Sequence, residues 1–492
     1  MAYETVVGEI RDLERRLITL REQATNLSNK RGRRRVLFLG AGLSSPPAIK
    51  YLLDHASELD ITLRVGDANL ELAQSRVGAH TRNHESSRAQ AFSLDCLNLP
   101  QLSYEIQQAD VVISLLPMAF HPSVAAECVK QGKHMVTASY VSDAMKALHA
   151  EAKEKGLVLL NEMGLDPGID HMICMRTINR LQTAHGPLRG FESFTGGLVA
   201  PESDDNPWNY KFSWNPRNVV LAGQGGVKFI HHGRFKYIPY HKIFSRYEVL
   251  DVPGHGAFEG YANRDSLKYR QQYNLMGVPT MYRGTLRKIG FCKAWNIFVQ
   301  LGMTDDTLVI EDSQHMTYRQ FINSFLLYRR SDSVELKIAY ELGISIDSPE
   351  MAKLKWLGIF EERPINLPNA TAAQILQSLL ERKLKMRPED KDMIVMINKF
   401  EYDDSSTGKT HLCQSHGVFT GAGTSATTAM ATTVGLPLAM GTRMLLQNRI
   451  KDAGVLIPTT PNLYEPILQE LETFGIQFEE NENFEIKDSP LL

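Results

Sequence analysis

The chain has 492 residues, 43% hydrophobic and 22% charged, with a formal net charge of −2. At roughly 100–200 residues per domain this length predicts two to four domains, and the near-neutral balance excludes a basic nucleic-acid binder. No apolar run approaches the ~18–20 residues of a membrane-spanning helix, so neither nucleic acid nor membrane is an expected partner. The cysteines (Cys96, Cys128, Cys174, Cys292, Cys413) are odd in number and scattered, which argues against a disulfide scaffold. Near the N-terminus there is no apolar secretion core, and Glu4, Glu9, Asp12, Glu14 and Glu22 are unlike an acid-poor transit peptide. A cytoplasmic protein is expected, with the mitochondrial matrix as the alternative.

Residues 1–32 are read as an amphipathic helix and a basic linker. Val6, Ile10, Leu13, Leu17, Leu20, Ala24 and Leu27 alternate spacings of three and four, and Arg31, Arg33, Arg34 and Arg35 follow. Apolar strands are then expected at Val36 to Leu39, Ile61 to Val65, Asp110 to Leu116, Met135 to Thr137 and Leu157 to Leu160. Helical stretches separate them, which implies an α/β Rossmann domain with a doubly wound parallel sheet over 33–165. An α/β substrate and dimerisation domain is expected over 166–291 and 387–420, with a helical insert at 292–386. Residues 421–492 are read as a return segment packing on the Rossmann domain. The alternating Trp208, Tyr210, Phe212 and Trp214 suggest a packed strand.

Gly40-x-Gly42-x-x-Ser45 falls between the first strand and a helix whose first turn holds Pro46 and Pro47. The first glycine permits a tight turn, and the second lets backbone amides approach a pyrophosphate at the helix N-terminus. Asp67 ends the second strand, close to the spacing of a ribose-binding acid. No arginine follows at Ala68-Asn69 to neutralise a 2′-phosphate, so NAD is expected in preference to NADP. Asp67 could instead cap the helix that begins near Leu70. The second glycine loop, Gly421-Ala-Gly423, lacks a suitably spaced acid and is read as close packing. His411 and His416 have no second ligand cluster, and no metal is expected.

Together the stretches Ser114-Leu-Leu-Pro117, His121-Pro122, Thr137-Ala-Ser-Tyr140 and Asn161 to His171 resemble the glutamate-forming saccharopine dehydrogenases. Asp205-Asn-Pro207, Tyr210 to Trp214, Asn263-Arg-Asp-Ser266, Arg283-Gly-Thr-Leu-Arg287, Asp392 to Val395 and Met430 to Gly435 continue the resemblance. It implies an oxidoreductase that interconverts saccharopine with L-glutamate and 2-aminoadipate 6-semialdehyde, and a homodimer. With Asp67 in place, the expected form is the NAD-using, lysine-degrading one. The alternatives are an NADP-using biosynthetic saccharopine reductase, a carboxynorspermidine or homospermidine-type enzyme, and a non-enzymatic NAD-binding scaffold or sensor.

Oxidation of saccharopine removes a hydride beside the secondary amine, and water then attacks the imine. The protein must neutralise carboxylates, place the carbon against the nicotinamide and move protons. The resemblance assigns the substrate to Ser139, Tyr140, Arg264, Thr285, Leu286 and Arg287; strand alternation puts Arg283 on the face of Thr285 and Arg287. The cofactor set is Gly40, Gly42, Leu43, Ser44, Asp67, Asp95, Cys96, Leu116, Pro117, Asp166, Pro167, Gly168 and Asn215. Asp166 and Tyr140 are the expected proton-transfer groups. Where family members commonly carry a cysteine this chain has Thr195, whose hydroxyl hardly ionises. His171 is read as packed structure, and Lys211 as either a carboxylate ligand or a snorkelling surface lysine.

Overall fold

The computed structural model describes residues 33–81, 88–329, 331–423 and 427–485. The helix and linker expected over 1–32 lie outside them, apart from the Arg33 to Arg35 end of the basic run. The chain divides into two units, Met1–Pro167 with Gly435–Ile457, and Gly168–Val434 with Pro458–Leu492.

The first unit is built on a seven-stranded parallel sheet. Its strands are β1 (Arg34–Leu39), β2 (Ile61–Asp67), β3 (Ala89–Ser93), β4 (Val111–Ser114), β5 (His134–Thr137) and β6 (Val158–Leu160), plus β15 (Gly454–Leu456) from late in the chain. The order β15-β6-β5-β4-β1-β2-β3 is the doubly wound arrangement expected, with the reversal between β1 and β4. Val36, Leu37, Phe38 and Leu39 are fully buried because helices cover both faces of a parallel sheet. Each such side chain contributes about 1.5–3 kcal/mol. The helix Ser45–Asp54 carries prolines in its first turn, where a missing N–H costs nothing.

In the second unit a mixed sheet runs β10-β11-β12-β7-β13-β14-β16, with β8 and β9 attached beside β12. These strands are β7 (Leu188–Val199), β8 (Val227–His231), β9 (Arg234–Ile238), β10 (Tyr247–Val252), β11 (Gly256–Ala262), β12 (Thr280–Lys288), β13 (Asp392–Asp403), β14 (Thr410–Thr420) and β16 (Glu479–Glu485). The insert expected over 292–386 is helical, including Phe291–Gln300, Val334–Leu342, Pro349–Leu357 and Ala372–Leu384, and shares one apolar core with the sheet. Asp392 on β13 caps the helix Ala429–Leu446, accepting from Ala429 N–H at 2.6 Å and Met430 N–H at 2.8 Å. A Cβ on Gly421 would meet that carboxylate at 2.4 Å, so the second glycine loop serves close packing.

Two expectations change. Trp208, Tyr210, Phe212 and Trp214 do not form a strand: they lie in an irregular segment whose Trp208 and Tyr210 are fully buried among Phe291, Trp295 and Phe298. Aromatic alternation there reflects burial without a ladder. The return segment expected over 421–492 divides: Gly435–Ile457 joins the first unit, whereas Pro458–Leu492 belongs to the second, where β16 pairs with β14.

Candidate active site

In the first unit, expected cofactor residues gather at the C-terminal ends of the strands. Gly40 has φ +96°, and a Cβ there would meet the Leu115 carbonyl oxygen at 2.8 Å, so only glycine fits. Gly42, by contrast, has open space at its Cβ position and is exposed. Leu43 is also exposed and Ser44 half-buried, leaving the loop open to a ligand. Leu116 and Pro117 follow β4, directly past the Leu115 that borders Gly40.

Asp67 is engaged by the backbone on both sides. One carboxylate oxygen accepts from the Ala41 N–H at 2.7 Å and the other from the Asn69 N–H at 2.8 Å, so the side chain ties the glycine loop to the end of β2. Asp95 and Cys96 follow β3; the Cys96 thiol is pushed up by burial, then by the Asp95 and Asp67 carboxylates. The sequence reading missed Arg76. On the helix Leu70–Thr81 its Nε reaches the Ala41 carbonyl at 3.4 Å, setting a half-buried cation against the same loop.

Beside β4 and β5 lies a hydrogen-bonded row. Ser114 Oγ meets His121 Nδ1 at 2.9 Å, and His121 Nε2 meets Ser139 Oγ at 2.7 Å. Burial depresses His121 to about 4, so the ring is neutral near pH 7. The Tyr140 hydroxyl donates to Asp166 at 2.8 Å, which brings the two expected proton-transfer groups together. Pro167 O accepts from Gly164 N–H at 2.9 Å, and Gly164 packs against Ala138.

The second unit presents a different surface. Thr285, half-buried, stands opposite Thr195 of β7 and Tyr261 of β11. Arg287, two positions along the same strand face, is 3% exposed under the rings of Tyr210, Tyr261 and Phe291, with guanidinium-to-centroid distances of 5.1, 5.8 and 5.3 Å. Its Nη1 donates to Leu286 O, while its buried Nε has no hydrogen-bond partner among the described residues. The carboxylate opposite in register, Glu259, is occupied with the N–H groups of Gly290 and Cys292, both at 2.7 Å, at the start of the helix Phe291–Gln300.

Arg283 does not share that situation. Its guanidinium pairs with the buried Asp170 at 2.7 Å and stacks on Tyr269 at 3.9 Å, while Asp170 also accepts from Gly168 N–H at 2.6 Å. It therefore anchors the start of the helix Ile169–His185. Arg264 is exposed in the left-handed turn after β11, near the Arg283 end of the hairpin. From there to Arg287 is about four strand positions, or roughly 13 Å of backbone. Leu286 is fully buried and packs on Gly196, leaving its backbone as the contact it can offer. Asn215 caps the helix Pro216–Val220. His171 is buried and bonds Tyr273 at 2.8 Å; Lys211 is buried between Asp205 and Asp390 and is not a surface lysine.

A glycine loop at the switch point of a doubly wound sheet, joined to a sheet unit with a buried cation, defines a dinucleotide-dependent oxidoreductase of two units. The saccharopine dehydrogenase NADP binding domain matches residues 36–160, and the saccharopine dehydrogenase C-terminal domain matches residues 164–476. The saccharopine dehydrogenase [NADP(+), L-glutamate-forming] of Pyricularia oryzae is 31% identical, with 90% of this chain and 98% of that protein covered. The mitochondrial alpha-aminoadipic semialdehyde synthase of Rattus norvegicus is 33% identical over 93% of this chain, which spans 48% of that longer protein. Apo saccharopine dehydrogenase (L-Glu forming) from Saccharomyces cerevisiae superposes with a TM-score of 0.80 at 31% identity, covering 91% of this chain and 99% of that one. The chain belongs to the saccharopine dehydrogenase family.

The expectation of NAD is corrected. The matched domain is an NADP binding domain, and the relatives from Pyricularia oryzae, Saccharomyces cerevisiae and Schizosaccharomyces pombe, each covered over 98% of its length, are named for NADP. At Asp67 each carboxylate oxygen accepts one backbone N–H, from Ala41 and from Asn69, and the Arg76 side chain stands against the same loop at the Ala41 carbonyl.

Proposed function

We propose that this protein is an NADP-dependent, L-glutamate-forming saccharopine dehydrogenase that works in the biosynthetic direction, joining 2-aminoadipate 6-semialdehyde and glutamate through an imine that NADPH reduces. The observation that carries the substrate reading is Arg287: a guanidinium buried under three rings with no carboxylate partner among the described residues. Such a cation is costly unless a ligand supplies the anion, and saccharopine has three carboxylates. Thr285 and the Leu286 backbone lie beside it, and Arg264 would add a second cation.

In the first unit Ser139 and Tyr140 are the proposed substrate contacts, and the Tyr140–Asp166 pair the proposed proton carrier. Gly40, Gly42, Leu43, Ser44, Leu116 and Pro117 would hold the dinucleotide, and Arg76 its 2′-phosphate, with the reacting carbon supplied by the substrate and the hydride by the nicotinamide. The proposed compartment is the cytoplasm and the proposed state a homodimer, the latter checked by light scattering on a sizing column.

The test is turnover of saccharopine with each dinucleotide, and of the semialdehyde plus glutamate with each reduced form. NADP(H) should be preferred by tenfold or more in kcat/KM, and Arg76→Ala should erase most of that preference. No turnover in either direction would overturn the reading.

A further inference from the structure

Ser114 ends β4, His121 opens the helix His121–Lys130, and Ser139 follows β5, so three separate elements place their side chains in one row. The Ser114 hydroxyl is fully buried, and among the described residues His121 is its only hydrogen-bond partner. A buried O–H needs an acceptor, and here that acceptor is Nδ1. The ring is then protonated at Nε2, and Nε2–H donates to Ser139 Oγ. With its oxygen accepting in this way, the half-buried Ser139 keeps its own proton to donate elsewhere. The opposite tautomer would strand the buried Ser114 proton, the costlier arrangement.

We infer that His121 is a positioning residue: through the row Ser114–His121–Ser139 it fixes the Ser139 hydroxyl as a hydrogen-bond donor, suited to a substrate carboxylate rather than to an amine. This rests on the proposed role of Ser139 as a substrate contact. In the sequence alone, His121-Pro122 stands only as part of the family resemblance.

The experiment uses the full chain and the variants His121→Phe, which keeps ring volume without nitrogens, His121→Gln, which keeps an N–H for Ser139, Ser139→Ala and the His121→Phe/Ser139→Ala double. His121→Phe should raise KM for saccharopine about tenfold or more while the dissociation constant of NADPH stays within about twofold. His121→Gln should recover most of the loss, and the double variant should be no worse than Ser139→Ala alone. Fully additive losses, or a normal saccharopine KM in His121→Phe, would overturn the inference. If that variant does not fold, Ser114→Ala takes its place, with a smaller rise in KM expected and an unchanged KM counting against the inference. Selective ¹⁵N-histidine spectra of the unmodified protein give a substrate-free readout: Nε2 protonated at neutral pH supports the relay, and Nδ1 protonated refutes it. Absence of saccharopine turnover in the wild type would remove the proposed function while leaving that spectrum to decide on the hydrogen-bond row.

Discussion

Arg287 separates binding from stability. Arg287→Met removes a buried charge but keeps the stem against Tyr210, Tyr261 and Phe291. The ligand-free protein should therefore melt no lower than wild type, while KM for saccharopine rises about 10–100-fold, the worth of a charge-assisted contact. A marked fall in melting temperature with normal substrate binding would make the guanidinium a structural group. His121 adds a pH dependence. Unfolded, the ring takes a proton below about 6.5; folded, burial delays this to about 4. Stability from the neutral ring is thus present above pH 6.5 and lost as pH falls from 6.5 towards 4, by up to about 2 kcal/mol at pH 5. Denaturant midpoints at pH 7 and 5 should differ less in His121→Gln. Strand periodicity in the sequence put Thr285 and Arg287 on one face, but nothing in it paired Arg283 with Asp170, 113 residues away, or Lys211 with Asp390, 179 away. Arg76 was not legible from the residues directly after Asp67, because it is a helix that brings the arginine back to the loop.

Among elements, the glycine loop and the start of the helix Ile169–His185 make opposite demands. Gly40→Ala forces a Cβ into the Leu115 carbonyl at a positive φ and should both destabilise the protein and abolish dinucleotide binding. Gly42→Ala meets no protein atom, so its melting temperature should hold while NADPH affinity falls at least tenfold. Equal loss of stability in the two would remove Gly42 from the ligand's path. Arg283→Met breaks a pair whose side chains are 6% and 0% exposed, leaving Asp170 charged and buried; a loss of about 3–5 kcal/mol in chemical denaturation is expected. Strands such as β1 and β4 were legible as short apolar runs, since both of their faces are covered. Strand β3, with sequence AQAFS and no fully buried residue, offered no such signal. The segment with Trp208 and Tyr210 misled because burial of alternate rings looks the same in a loop.

For the whole molecule, the sequence indicated two α/β units and a helical insert, and the late part of the chain was the hardest to place. The family match ends at residue 476, yet β16 beyond it covers the edge of β14 and is held by Arg180 to Glu480 and Glu482. Removing residues 477–492 should expose that edge, so light scattering on mild heating should rise well above that of the full chain. An unchanged scattering curve would mean the edge needs no cover.

Strand β15 lies against β6 although 454 − 158 = 296 positions separate their first residues. Closing so long a loop costs roughly 5 kcal/mol of chain entropy. While the polypeptide leaves the ribosome, the nucleotide sheet therefore stays one strand short until nearly all of the other unit has emerged, and its open border is the place where a nascent chain would need a chaperone.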